Sequence, residues 1–364
     1  MLCLPRITAY GKFLYKNPPA TDFSISVNSF AAPDIPEPYL QAYELVRLME
    51  KDPLQFLFSK FRMTVPWEIH CKFADDFRNY LLKNSLEKLS RHFQDQQSLD
   101  TVSLGMKRLL SYPSADLFKS FLHDPVYMMT QQEWDEYNDF VQKTPAIIEK
   151  YHHAFQELSA TEFYYEHGLI YLDDKIKSKI RDGIVLDCGS FDGASMVVMA
   201  EYHPEKIIGF EPSEKNIGQC RKNLQNAQVN CPYDIFCSCV GDRDGVISFE
   251  DSGNSMASIS NSQNGSQVPI CKIDTFCEKN NIDRVSWIKA DLEGAALDMI
   301  KGAEKIIRRD RPLLTIGVYH SPQEFFEIPE LLHQWIPEYK MMLRRCQCFP
   351  TCPYNELTLI VYTD

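Results

Sequence analysis

At 364 residues the chain is too long for one ordinary core and suits two domains. With 44% hydrophobic and 24% charged residues it has the composition of a globular protein, not a disordered one. The 50 acidic against 38 basic residues, net −12, disfavour a nucleic-acid partner, and no apolar run approaches the roughly 20 residues that span a bilayer.

Met1–Tyr15 mixes Pro, Arg, Gly and Lys rather than following the pattern of a signal peptide, so the expected location is cytoplasmic. The 12 cysteines are then expected as free thiols. Cys346, Cys348 and Cys352 form a C-x-C-x3-C cluster, but no paired knuckle or nearby His completes it, and no metal is expected there.

Residues up to about Pro38 read as an extended arm rich in Pro, Asn and Ser. From Tyr39 to about Leu158 the pattern is helical: Phe73, Phe77, Tyr80 and Leu81 share one helix face. Thr130-Gln-Gln-Glu133 is a capping box, Thr144-Pro145 predicts a second helix start, and Ser159-x-x-Glu162 a third. Residues 1–160 are therefore expected to form a helical accessory domain with an extended arm, and 161–364 a second domain. The helical part is a candidate homodimer interface, acceptor-shaping element or docking site for a partner such as a glycosyltransferase.

After Gly168 strands alternate with helices. Ile184–Asp187, Lys206–Glu211 and Tyr233–Cys239 read as strands, with helices near Ala194–Val198 and over Ser213–Gln225. This alternation implies an α/β doubly wound, mostly parallel sheet. Gly241–Val268 reads as a hairpin turning at Asp244-Gly245, with the polar stretch Ser252–Gln267 as a mobile loop able to close over an acceptor. Strand Val285–Ala290 follows. Leu292, Ala295, Ala296, Met299, Ile300, Ala303, Ile306 and Ile307 then fit one continuous helical stripe. Strand Leu313–Val318 leads to Ser321-Pro-Gln-Glu324, an N-cap, N1 proline and capping-box acid for the next helix. The connection between Lys340–Leu343 and Glu356–Tyr362 is too short for a helical crossover, so the last strand should be antiparallel.

Four strand ends carry the chemistry. In Asp187-Cys-Gly-Ser-Phe-Asp-Gly193, Gly189 and Gly193 let a ligand approach the backbone where a strand turns into a helix. Asp187 would repel a dinucleotide pyrophosphate but attract the ammonium of S-adenosyl-L-methionine. Glu211 ends the second strand, where an acid meets ribose hydroxyls, and Phe210 and Pro212 flank it. Asp291 and Glu293 follow the strand that starts near Val285. They are candidates to polarise an acceptor hydroxyl, bind the methionine amine or hold a divalent cation. His320, just past Val318, is a candidate general base, with Asp291 orienting the acceptor or taking the base role itself. The cofactor-binding set is Asp187, Gly189, Ser190, Phe191, Gly193, Ser195, Glu211, Pro212, Cys239 and Asp291. The catalytic set is His320, Asp291 and Glu293.

Together with Phe210-Glu-Pro212, Val240-Gly-Asp-Arg-Asp-Gly245, Ile273-Asp-Thr-Phe276 and Ile288-Lys-Ala-Asp-Leu-Glu-Gly-Ala295 continuing to Lys301-Gly-Ala303, these strings resemble the FkbM-type methyltransferases in order and content. Coverage runs from about Phe163 onward. The resemblance implies a class I, Rossmann-like methyltransferase sheet whose last strand is antiparallel. It also implies S-adenosylmethionine as cofactor and O-methylation of a small-molecule or glycan hydroxyl in glycan biosynthesis. The chain departs from the family at Ser190-Phe191, where Ala-Asn is common. It also lacks an acid at Ala295 or Ala296, and a Glu where Gly317 stands. Those losses keep a non-catalytic cofactor-binding or scaffold module as the alternative, with an NAD-dependent oxidoreductase behind it.

Overall fold

The structure is a computed structural model that describes residues 75–110, 130–181, 183–250, 266–347 and 356–364, with the short strands Arg6–Ile7, Lys12–Leu14 and Ser258–Ile259. The strands of the second half are β1 Ile184–Cys188, β2 Lys206–Phe210, β3 Tyr233–Phe236, β4 Cys239–Val240, β5 Gly245–Glu250, β6 Ser258–Ile259, β7 Ser266–Cys271, β8 Val285–Ala290, β9 Leu313–Gly317, β10 Lys340–Arg345 and β11 Leu357–Tyr362. The principal helices are α1 Leu86–Ser90, α2 Gln96–Leu110, α3 Gln131–Tyr151, α4 Ala194–Ala200, α5 Glu214–Asn226, α6 Ile273–Lys279, α7 Ala296–Gly302, α8 Glu304–Asp310 and α9 Pro322–Trp335.

Seven strands form the central sheet in the order β10-β11-β9-β8-β1-β2-β3. Neighbours from β9 through β8, β1 and β2 to β3 run parallel, and β11 is antiparallel to both β9 and β10. This is the expected doubly wound sheet with a reversed last strand. All six residues of β8 are buried, as are four of the five in β1, because helices cover both faces and leave no solvent side for polar alternation. Trp287 in β8 is wholly buried and its indole N–H donates to Thr315 Oγ1 at 2.9 Å, which satisfies its one polar atom.

Successive strand residues face two cores. Leu186, Ile288, Ile316 and Leu359 pack with Phe276, Met299, Ile300 and Phe325, while Val185, Trp287 and Ile360 pack with Met196, Val198, Leu224, Phe140 and Tyr165. The helices of the first half join these same cores. Leu89, Phe93, Val102 and Met106 belong to the first, and Tyr137 and Phe140 to the second. Helix α2 lies along β10, where Leu343 N donates to Ser98 Oγ at 2.9 Å and Arg344 pairs with Asp95 at 2.9 Å. That contact covers a sheet edge which would otherwise invite pairing with another chain. Apart from these helices, Arg6–Ile7, Lys12–Leu14 and Glu157–Ser159 form a small antiparallel sheet.

The local signals hold at Thr130, whose capping box with Glu133 is complete, and at Ser159, Ser213 and Ser321, each an N-cap accepting from its own helix. Three expectations are corrected. Thr144-Pro145 starts no helix, for α3 runs through it, and the Thr144 hydroxyl donates to Phe140 O at 2.8 Å next to the position that Pro145 cannot serve. The stretch Tyr233–Cys239 is two strands, since β4 leaves the central sheet to pair with β7. The stripe from Leu292 to Ile307 is two helices that break at Ala303. A Cβ on Gly302 would lie 1.9 Å from Gly241 O, so the chain passes close to β4 there, and Asp274 accepts from Lys305 N and Ile306 N to start α8 afresh.

The hairpin expected around Asp244-Gly245 does not form, because β7 lies between β4 and β5 and pairs with both, while β6 extends β5. Most of Ser252–Gln267, the arm before Pro38 except for its two short strands, Phe73, Cys348 and Cys352 lie outside the described residues. Cys346 is a buried free thiol.

Candidate active site

The carboxyl ends of β1, β2, β8 and β9 converge, and the glycine turn after β1 is built by its neighbours. Gly189 N and Ser190 N both donate to Phe210 O, at 3.0 and 3.1 Å. Gly189 has φ +87°, and a Cβ there would lie 2.3 Å from Asp291 O. Gly193 has φ +86°, with Cys220 Sγ where its Cβ would be. Phe191, the non-glycine between them, takes φ +45°. Only glycine adopts the first two conformations without strain, which is the physical content of the motif.

Asp187 is fully buried, and it faces Lys289 rather than the surface. Lys289 Nζ lies 3.1 Å from Asp187 Oδ1 and donates to Gly189 O at 2.8 Å. Burial pushes the Asp187 carboxyl up, opposed by the Lys289 charge and the Ser195 and Ser190 hydroxyls. Lys289, itself buried, is held above its ordinary value because the Asp187 and Asp291 charges outweigh desolvation.

Glu211 closes the turn from the β2 side. Its Oε2 accepts from Phe191 N at 3.0 Å, and its Oε1 accepts from Ser213 N at 2.9 Å and Asn216 Nδ2 at 3.1 Å. Burial still raises its carboxyl. A carboxylate offers about four acceptor positions, so these three bonds leave one on Oε2. Ser190 and Ser195 are buried behind the turn, and Pro212 is half-buried after β2. Phe210 points into the core against Phe236 and Phe276, not towards a cleft. Cys239 packs with Ile247, Phe249, Val268 and Ile270 of the small sheet, and burial pushes its thiol to about 12.

The second group gathers past β8 and β9. His320 Nε2 lies 3.4 Å from Asp291 Oδ1 and 3.5 Å from Glu293 Oε2, while Nδ1 lies 3.7 Å from Glu324 Oε2. The ring is nine-tenths buried, yet neither nitrogen makes a hydrogen bond among the described residues. Burial holds its pKa below the ordinary value, opposed by Asp291, so the imidazole is neutral near pH 7. Tyr319 lies against the His320 ring and donates to Asp291 at 3.3 Å. Gly317 lies close beneath them: a Cβ there would lie 3.0 Å from Asp291 Oδ1. Glu356, which accepts from Thr161 Oγ1 at 3.0 Å, and Glu162 add further carboxylates that act on Tyr319. Among the described residues no group of three or more His, Cys, Asp or Glu side chains is placed to hold a metal ion.

Lys289, Tyr319 and Glu356 were not singled out by the sequence, and Glu162 only as a helix cap. A lysine inside the otherwise apolar run Val285–Ala290 was the available signal, since a buried charge needs a partner. Glu324 takes on more than the expected cap of its own helix. Its Oε1 accepts from Ala296 N at 2.8 Å and so starts α7, and burial pushes its carboxyl up to about 7. A folded-state pKa above the unfolded value adds stability at low pH that is lost as pH rises through about 7. Glu324→Gln keeps the acceptor without the charge. The wild-type melting temperature should therefore fall relative to the variant between about pH 5 and 8; parallel curves would show that Glu324 does not titrate there.

The strand order and the ligand-facing turn after β1 define a Rossmann-like methyltransferase fold. Residues 187–345 match the family described as the methyltransferase FkbM domain. It is 24% identical over 170 residues to the 2-O-methyltransferase NoeI of Sinorhizobium fredii, a match that takes in 40% of this chain and 66% of that relative. The crystal structure of methyltransferase FkbM from Methylobacillus flagellatus KT superposes with a TM-score of 0.51 at 16% identity, covering 90% of this chain and 72% of the other. That likeness is one of fold.

Proposed function

We propose that this protein transfers a methyl group from S-adenosylmethionine to a hydroxyl of a sugar, on a glycan or a glycosylated metabolite. The observation that carries the reading is His320: a buried, neutral imidazole with no hydrogen-bond partner among the described residues, 3.4 Å from Asp291 at the ligand-binding edge of the sheet. A neutral imidazole accepts a proton, and Asp291 stabilises the imidazolium that results. The 2-O-methyltransferase relative supports an oxygen acceptor.

The cofactor would bring a methyl already activated by its sulfonium charge, so the protein need only align the acceptor and take its proton. Gly189 and Gly193 keep the turn free of side chains, and the remaining acceptor position on Glu211 Oε2 suits one ribose hydroxyl. The missing second acid at Ala296 removes no part of this arrangement: Ala296 is wholly buried as the first residue of α7, its N–H bonded to Glu324.

Purified protein with S-adenosylmethionine and a panel of neutral, acidic and amino sugars should produce S-adenosylhomocysteine with at least one acceptor. Mass spectrometry of the product should place the methyl on oxygen. Tight cofactor binding without turnover on any acceptor would instead favour a non-catalytic module.

A further inference from the structure

We propose that Lys289 is a positioning residue for the cofactor turn, and that Asp187 serves Lys289 rather than the cofactor's ammonium group. This rests on the cofactor reading above. The register of the sheet sets Lys289 of β8 directly beside Asp187 of β1. Both side chains are buried, at 5% and 0% exposure, with the ammonium 3.1 Å from Asp187 Oδ1. The same ammonium donates to Gly189 O at 2.8 Å, which fixes the first carbonyl of the turn. Neither carboxylate oxygen of Asp187 reaches solvent or makes a hydrogen bond among the described residues, so Lys289 meets it as an ion pair, and a ligand lying in the turn meets the backbone that Lys289 holds. Beyond Gly189 the turn continues to Phe191, whose N–H is held by Glu211. A shift at Gly189 therefore carries to the ribose-facing carboxylate as well as to the amino-acid end.

This arrangement separates two roles for Asp187 that a sequence cannot. A direct contact with the ammonium affects only ligands that have one. A contact through Lys289 and the turn affects the whole ligand. S-adenosylhomocysteine carries the amino-acid tail and 5′-methylthioadenosine lacks it, so titration calorimetry with both probes distinguishes the two.

Asp187→Asn and Lys289→Met should each weaken both compounds by a similar factor, about 10- to 100-fold, the usual cost of losing a charged hydrogen bond. Lys289→Arg, which keeps the charge and donors, should recover part of the loss. Loss confined to S-adenosylhomocysteine in Asp187→Asn would overturn the assignment. So would equal or tighter binding of that compound by Lys289→Met, because it would mean that the lysine was competing for Asp187. A lower melting temperature with unchanged affinity, measured well below melting, would reduce the pair to a structural one and also sink the proposal. If Lys289→Met does not fold, Asp187→Asn with the two probes decides alone. Wild-type protein that binds neither compound would remove the cofactor reading itself, an outcome distinct from loss in the variants only.

Discussion

His320→Ala is expected to lower turnover by about 10²–10⁴-fold, the usual worth of a general base, while S-adenosylmethionine affinity stays near wild type. Kinetics separates the two effects because His320 follows β9, whereas the glycine turn follows β1. The pH profile adds a second check. Burial keeps the imidazole deprotonated near neutrality, so the rate should be level around pH 7 and fall only in acid, below the ordinary histidine range of about 6.5. Asp291 is the rival base. If it takes the proton, Asp291→Asn will be the severe variant and His320→Ala the mild one, and the level region of the profile will extend into the carboxylate range.

Gly189→Ala should abolish measurable cofactor binding and lower stability. A left-handed φ costs a non-glycine residue about 1–2 kcal/mol, and forcing a methyl against the Asp291 carbonyl adds about 1–3 kcal/mol. The carbonyl belongs to the backbone and cannot swing aside as a flexible side chain would. Gly218, in the interior of α5, offers a control: a Cβ there meets nothing within 4 Å, and helix propensity favours alanine by roughly 0.5–1 kcal/mol. A Gly189→Ala protein that binds S-adenosylhomocysteine normally would mean that the turn does not approach the cofactor.

The sheet was legible because its strands are buried on both faces and therefore read as short apolar runs. Val285–Ala290 and Leu313–Gly317 are examples, and the second is followed by a helix with a recognisable N-cap, Ser321. What stayed hidden depends on partners distant in the chain. Nothing near Gly302 says that Gly241 passes within contact, so the helical stripe gave no sign of its break. Glu324 has the spacing of a local cap, and only the fold shows it reaching Ala296. At the site, Asp187, Glu211, Asp291 and His320 stand out as polar groups at strand ends. Position alone could not say that Lys289 already occupies the first of them, or that Glu211 has only one acceptor position to spare.

The strand order bears on how the protein is made. Strand β11 is the latest of the described strands in the sequence, yet it lies between β9 and β10. Until residue 362 leaves the ribosome, β9 presents an open edge in the middle of the sheet, and β10 has no strand to join. Synthesis proceeds from the amino terminus at about 5–20 residues per second, so every nascent chain passes through a stage with an apolar strand edge exposed. Helix α2 lies against β10 in the finished fold and has emerged well before that strand. It is placed to hold β10 until β11 arrives, which gives the helices of the first half a role during synthesis as well as in the folded protein.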